Sequence, residues 1–191
     1  MEYTDQEAVQ RTLANPDEFT LLVEKYQVPL TRYIRRLGIG DDDVAKDVLQ
    51  EAFIKAYSHL NDYDSSFAFG AWMYRITHNE TMAHFRKQKS RPKIMNSEVD
   101  LAIFEHIADD IDPAKDADSR LDKETLAKAL LELKPVYRDV ITLRFFEDKS
   151  YAEIADILEI PEGTVATYIA RGKGALRKAL QDYHHAGRYY Y

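Results

Sequence analysis

Apolar side chains recur at intervals of three and four residues on both sides of an acidic central segment, and this periodicity admits few folds other than packed helices. Between Asp17 and Leu37 the apolar positions are Phe19, Leu22, Val23, Tyr26, Leu30, Tyr33, Ile34 and Leu37. That is one helix, with a kink expected at Pro29. Gly38-Ile39-Gly40 ends it, and Asp41 or Asp42 can cap the next helix. There Val44, Val48, Ala52, Phe53, Ala56, Tyr57 and Leu60 form the expected inner stripe, while Asp47, Gln50, Glu51 and Lys55 lie on the other side. After a loop from Asn61 to Ser66, a third amphipathic helix is predicted over 67–88. Phe69, Trp72, Met73, Ile76 and Ala83 share one of its faces and Arg75, Asn79, Met82 and Arg86 another.

From 90 to 122 the character changes. Nine acidic groups face four basic ones, and Pro92 and Pro113 act as breakers. The segment reads as a flexible acidic linker with one amphipathic piece (Leu101, Ile103, Phe104, Ile107, Ile111) able to dock. Helical patterning resumes beyond it. Leu126, Ala129, Leu130 and Leu133 make a stripe that ends near Pro135, and a second helix carries Val136, Val140, Ile141, Leu143, Arg144 and Phe145. Ser150 caps a third, with Ile154, Ala155 and Leu158 inward; Glu159-Ile160 is a tight turn; Pro161 falls in the first turn of the last helix, which turns Val165, Ile169 and Leu176 inward. Two helices joined by so short a turn make a helix-turn-helix, whose second helix enters the major groove of DNA. Its outward residues are Glu162, Thr164, Thr167, Tyr168, Arg171 and Lys173. An ordinary packed helical hairpin has the same pattern.

Composition trims the functional classes. The net charge of −7 argues at first against a nucleic-acid partner, but the positive charge is focused. Residues 75–93 hold six basic groups against Glu80 alone, and 161–178 hold four against Glu162. Such clusters attract phosphate whatever the total charge. The absence of cysteine excludes disulfides, Cys-ligated zinc and thiol nucleophiles. Gly38-Ile39-Gly40 lacks the context of a phosphate loop, and His78 and His84 lie six apart, off a common helical face, so no metal or cofactor is expected. A polar start and no long apolar run lead to the expectation of a soluble cytoplasmic protein.

The motifs then carry a resemblance. Asp-Val-Leu-Gln-Glu-Ala-Phe (47–53) and Ala-Trp-Met-Tyr-Arg-Ile-Thr-His-Asn (71–79) resemble conserved region 2 of bacterial extracytoplasmic-function (ECF) sigma factors, of the sigma-70 superfamily. Leu-Arg-Phe-Phe-Glu-Asp-Lys-Ser-Tyr-Ala-Glu-Ile-Ala (143–155) with Ile-Pro-Glu-Gly-Thr-Val (160–165) resembles their region 4. The resemblance implies an all-α chain of two small domains: region 2 over 1–89, the acidic linker over 90–122, the region 4 helix-turn-helix over 123–182 and a tail over 183–191. It implies a partner, core RNA polymerase, whose β′ clamp helices meet Asp47, Gln50, Glu51 and Lys55 and whose β flap meets region 4.

The same resemblance makes promoter DNA a second partner. The minus-ten element would be held as single strand by Tyr63, Asp64, Ser65, Ser66, Arg75, Asn79, Arg86, Lys87 and Lys89. The minus-thirty-five element would be read as duplex by Thr164, Thr167, Tyr168, Arg171 and Lys173. An amide at Asn79 suits an extruded base, since it offers both donor and acceptor to a Watson–Crick edge. Trp72 could stack on such a base, but it shares the Phe69/Ile76 face, where core packing is expected. An anti-sigma factor is the third implied partner. The chain departs from the family at Asp64-Ser65-Ser66-Phe67 in the base-capture loop, and at Ala166 and Tyr168, where relatives often carry basic residues. The expected activity is promoter recruitment without catalysis. The alternative is a stand-alone helix-turn-helix regulator.

Overall fold

The computed structural model describes residues 3–88 and 123–187; Lys89, the linker stripe of 101–111 and residues 188–191 lie outside the described residues. Helix α1 (Asp5–Ala14) opens with a capping box. The Thr4 hydroxyl accepts from the Glu7 amide, and the Glu7 carboxylate accepts from the Thr4 amide at 2.8 Å. A 3₁₀ turn over Pro16–Glu18 leads into α2 (Phe19–Arg36), which runs on through Pro29 and buries Leu22, Tyr26, Leu30, Tyr33 and Ile34. Gly38, at φ 114°, supplies the left-handed residue that turns the chain out of α2. Asp41 is the cap of α3 (Asp42–Ser58): its carboxylate accepts from the amides of Asp43 and Val44 at 3.0 and 3.1 Å. A 3₁₀ turn at Leu60–Asp62 and a short loop lead to α4 (Phe69–Gln88), which begins two residues later than the periodicity predicts.

The second half comprises α5 (Lys123–Glu132), α6 (Pro135–Ile141), a π-helical turn (Thr142–Phe146), α7 (Tyr151–Leu158) and α8 (Glu162–Gly187). The architecture of the described residues is all-α, as the apolar periodicity predicts, and none of the described helices is long and apolar enough to cross a membrane. The expected stripe Leu126, Ala129, Leu130 and Leu133 is buried throughout. Each large side chain so buried is worth roughly 1.5–3 kcal/mol.

The inner stripe of α3 differs in detail. Ala45 joins Val48, Ala52, Phe53 and Ala56 inside, whereas Tyr57 stands 45% exposed. Helix α4 differs more, burying Tyr74, Thr77 and Thr81 as well as Phe69 and Met73. Helix α4 packs against α7 as well as α3, and one apolar core runs through both bundles, from Leu22 and Tyr33 to Ile141 and Ile154.

Candidate functional site

Three surfaces carry the predicted residues. The first is an open groove of about 1030 Å³ between α2 and α3. Phe19, Val23, Leu49, Phe53, Ile54 and Tyr57 wall it, and Asp17, Glu24, Lys46 and Gln50 stand on its rim. Its far wall is set by aromatic packing, with the Phe19 ring edge-on to Phe53 at 6.2 Å and to Tyr57 at 5.1 Å. Asp47, Gln50, Glu51 and Ile54 fall at helical spacing along the exposed side of α3. Ile54 is 50% exposed beside a Tyr57 that is nearly as open, so apolar surface lies next to three orienting polar groups. Sequence reasoning missed the apolar part, because the helical wheel turned Tyr57 inward and left Ile54 unassigned. Lys55 is turned away from this groove, its Nζ 2.5 Å from the Glu80 carboxylate on α4.

The second surface is a cavity of about 250 Å³ where α3 meets α4, lined by Lys55, His59, Trp72, Arg75, Ile76, Asn79 and Glu80. Trp72 is half-buried and serves two purposes. Its ring packs on Phe69 (5.5 Å) and Tyr63 (5.3 Å), and it also forms part of this wall. Asn79 is exposed, with no hydrogen bond from its amide among the described residues. The cavity thus joins an indole, a guanidinium and an uncommitted amide, the groups that stack on a base, pair with phosphate and read a base edge.

The loop beside the cavity is tied down. The Tyr63 hydroxyl donates to the Phe67 carbonyl at 2.6 Å, and the Ser66 amide donates to the Asp64 carboxylate at 2.9 Å. Those Ser66 bonds hold the Asp64 carboxyl below its ordinary pKa. Ser65 offers its carbonyl to Gln6 at 3.5 Å. The aromatic left open here is Phe67, 51% exposed, which lies in the loop ahead of α4 although the periodicity predicts the helix from residue 67. Arg86 and Lys87 lie exposed in the last turn of α4, where cations favour the helix dipole, and neither makes an ion pair among the described residues.

The third surface is the α7–α8 pair. Ser150 and Glu153 make a reciprocal capping box at the start of α7. Glu159, at φ 54°, makes the tight turn, and the Ile160 amide closes it on the Ala155 carbonyl at 3.1 Å. Pro161 stands just before α8, its carbonyl accepting from the amides of Thr164 and Val165. Val165, Ile169 and Leu176 are buried as expected. Of the outward set, Thr167 and Arg171 are exposed with Glu162, whereas Thr164, Tyr168 and Lys173 are half-buried. Tyr168 rests edge-on against Tyr137 at 5.8 Å, and the Lys173 ammonium sits 5.7 Å from the Phe145 ring centre. Gly172 lets α8 approach α6 closely, since a Cβ there would lie 2.9 Å from Ile141.

Among the described residues, no cluster of three or more His or acidic side chains is arranged to hold a metal ion.

Comparison with known proteins agrees with this geometry. The family model described as Sigma-70 region 2 matches residues 22–91, and that described as Sigma-70, region 4 matches residues 123–176. The chain is 36% identical over 171 residues to the ECF RNA polymerase sigma factor SigW of Bacillus subtilis (strain 168), covering 87% of this chain and 90% of the relative. It is 37% identical over 182 residues to the RNA polymerase sigma-H factor of Pseudomonas aeruginosa, covering 93% and 94%. The sigma factor RpoE of Bartonella quintana, solved in complex with the anti-sigma factor NepR, shares the fold with a TM-score of 0.63 at 22% identity, over 86% of this chain and 97% of that one. With both conserved regions matched in order and relatives above one-third identity over most of the chain, this protein belongs to the ECF RNA polymerase sigma factors of the sigma-70 family.

Proposed function

We propose that the three surfaces divide the work of a sigma factor among themselves. The α2–α3 groove docks core polymerase. A helix of the β′ clamp would lay an apolar stripe against Phe53, Ile54 and Tyr57, while Asp47, Gln50 and Glu51 fix its register. Lys55 belongs to the neighbouring cavity through its tie to Glu80. That cavity takes an unstacked base of the minus-ten strand. Asn79 meets its Watson–Crick edge, and Arg75, Arg86, Lys87 and Lys89 follow the phosphates. The loop of Tyr63, Asp64, Ser65 and Ser66 forms the rim, with Phe67 as a stacking surface. Thr164, Thr167, Tyr168, Arg171 and Lys173 face the minus-thirty-five duplex.

The observation that carries this reading is the uncommitted Asn79 amide beside Trp72 and Arg75 in a small cavity, one helix away from an apolar groove. Extruding a base costs a few kcal/mol, more than a single amide contact returns, so the groove and the cavity must act together. The proposed domain limits are 1–89, 90–122, 123–182 and 183–191. Sigma factors as a family are not enzymes, and we read this chain as non-catalytic and cytoplasmic. The Bartonella relative was solved with an anti-sigma factor, which supports a partner of that kind here.

Run-off transcription with core polymerase tests the proposal. Ile54→Glu should abolish holoenzyme formation while keeping helicity. Asn79→Ala should retain polymerase binding and lose open-complex formation. Stable, specific duplex binding without polymerase, and unaltered by Ile54→Glu, would favour the stand-alone regulator instead.

A further inference from the structure

The first turn of α4 carries Trp72 to the wall of the second cavity, and that turn is gripped from outside its own helix. Phe69, 2% exposed, is the centre of an aromatic group. Its ring centre lies 5.6 Å from Tyr26 of α2, 5.2 Å from Tyr63 and 5.5 Å from Trp72. Tyr63 closes the group on Trp72 at 5.3 Å. Tyr26 and Tyr63 both meet Phe69 edge-on, at interplanar angles of 62° and 88°, an orientation that the ring quadrupoles favour.

The far end of this group is fixed by a polar contact. Tyr26 is buried, and its hydroxyl donates to Asp5 Oδ2 at 2.8 Å. Burial and the Asp5 carboxylate both raise the Tyr26 pKa, so the hydroxyl keeps its proton and remains a donor. The other carboxylate oxygen of Asp5 pairs with Lys25 Nζ at 2.7 Å. Asp5 itself stands in the first turn of α1, which the Thr4–Glu7 capping box pins. Gly70 leaves room for the hydroxyl over the start of α4, since a Cβ there would lie 3.2 Å from Tyr26 Oη. A buried hydroxyl left without its acceptor pays its desolvation in full. Asp5 thus fixes where the Tyr26 ring sits, and that ring fixes Phe69.

Trp72 needs such support because it is only half-buried where it lines the cavity. A half-exposed indole that had to be ordered as the base arrived would charge that ordering against binding, whereas one already set in place does not. We propose that Tyr26, anchored on Asp5, is a positioning residue for the minus-ten base: through Phe69 it sets the Trp72 indole in the cavity wall before the base enters. Neither Tyr26 nor Asp5 lines the cavity, so both act at one remove. This inference rests on the proposed role of that cavity.

Trp72 is the sole tryptophan of the chain, so fluorescence of the full-length protein reads its surroundings directly. Tyr26→Phe keeps the ring and removes the hydroxyl. It should shift the Trp72 emission to longer wavelength and raise its quenching by acrylamide. In the holoenzyme, 2-aminopurine in the minus-ten strand of a promoter on which wild type initiates follows base unstacking. Tyr26→Phe should slow that step about tenfold, or about 1.4 kcal/mol in the barrier, with the affinity for core polymerase unchanged. Asp5→Ala should do the same, and Asp5→Asn, whose amide oxygen still accepts from the hydroxyl, should recover most of both signals. The Asp5 pair decides the matter if Tyr26→Phe loses helicity. Folded variants whose Trp72 emission stays put, or moves without slower unstacking, overturn the positioning role, as does an Asp5→Asn as impaired as Asp5→Ala. A wild-type holoenzyme that unstacks no base, or an Asn79→Ala that unstacks it as fast as wild type, refutes the reading of the cavity instead. The positioning role falls with it, while the emission still reports whether Tyr26 holds the indole.

Discussion

Burial drives the proton affinities of His78 on α4 and Asp139 on α6 in opposite directions. Burial, aided by the Arg138 charge, lowers the His78 pKa from 6.5 to about 4. Its Nδ1 lies 3.0 Å from the Tyr33 hydroxyl, whose own pKa is raised by burial and by the charges of Asp139 and Glu147. Burial raises the Asp139 pKa from 3.8 to about 7, against the pull of Arg138. A histidine held neutral contributes stability that is present above 6.5 and is lost as the pH falls towards 4. A carboxyl with a raised pKa penalises the folded state above 7, and this penalty is relieved as the pH falls towards 3.8. Between about 6.5 and 4, folding thus releases one proton at His78 and takes up one at Asp139, and the pair is nearly silent. Glu147, also raised by burial, adds to the Asp139 direction. His78→Gln keeps a polar partner for Tyr33 and removes one side of the balance. Urea unfolding at pH steps from 7.5 to 4.5 should show the variant gaining on wild type by about 1.4 kcal/mol per pH unit below 6.5. The total approaches roughly 2–3 kcal/mol by the lower end of the range. Curves that stay parallel throughout would mean that His78 titrates as if in water, and the argument from burial would be wrong.

Two further substitutions read the packing of the second half. Gly172→Ala sets a Cβ 2.9 Å from the fully buried Ile141 and 3.4 Å from the Tyr137 carbonyl, whereas Gly174→Ala meets nothing within 4 Å. Urea unfolding should show the first losing about 1–2 kcal/mol and the second gaining about 0.5–1 kcal/mol from helix propensity alone. Ser150→Ala removes the hydroxyl that accepts from the Glu153 amide and should cost about 1 kcal/mol, with faster amide exchange in the first turn of α7.

Where a helix has one buried face, periodicity places it well. The stripes Leu22–Tyr26–Leu30–Tyr33 on α2 and Leu126–Leu130–Leu133 on α5 are inside, and the helix-turn-helix follows its expected order from Ser150 to Leu176. The errors gather where a helix has two partners. On α4 a single apolar stripe predicts Trp72, Ile76 and Ala83 as core, yet these are half-buried, while Tyr74, Thr77 and Thr81 are inside, on a helix that packs against both α3 and α7. Threonines can fill that face because each hydroxyl bonds the carbonyl four residues earlier, Thr77 to Met73 at 2.9 Å and Thr81 to Thr77 at 2.8 Å. Tyr57 on α3 fails in the opposite sense, since its ring finishes the wall of a groove that no segment among the described residues fills.

The same logic explains why the buried Arg36–Glu147 pair is invisible in the sequence. Arg36 has the look of a cation compensating the C-terminus of α2, and Glu147 that of a loop acid before Asp148. A hydropathy pattern assigns such groups to solvent, because burying a charge pays only when a partner arrives from far along the chain, here 111 residues away. Three of the features that pattern reading misses or misplaces are the exposed Ile54–Tyr57 wall, the exposed Phe67 and the buried Glu147. The first two are groups that intramolecular packing leaves uncovered, and the third is a group that it covers against the preference of its charge. In a chain whose work is to meet polymerase and DNA, these are the positions where stability and function make different demands on the same residue.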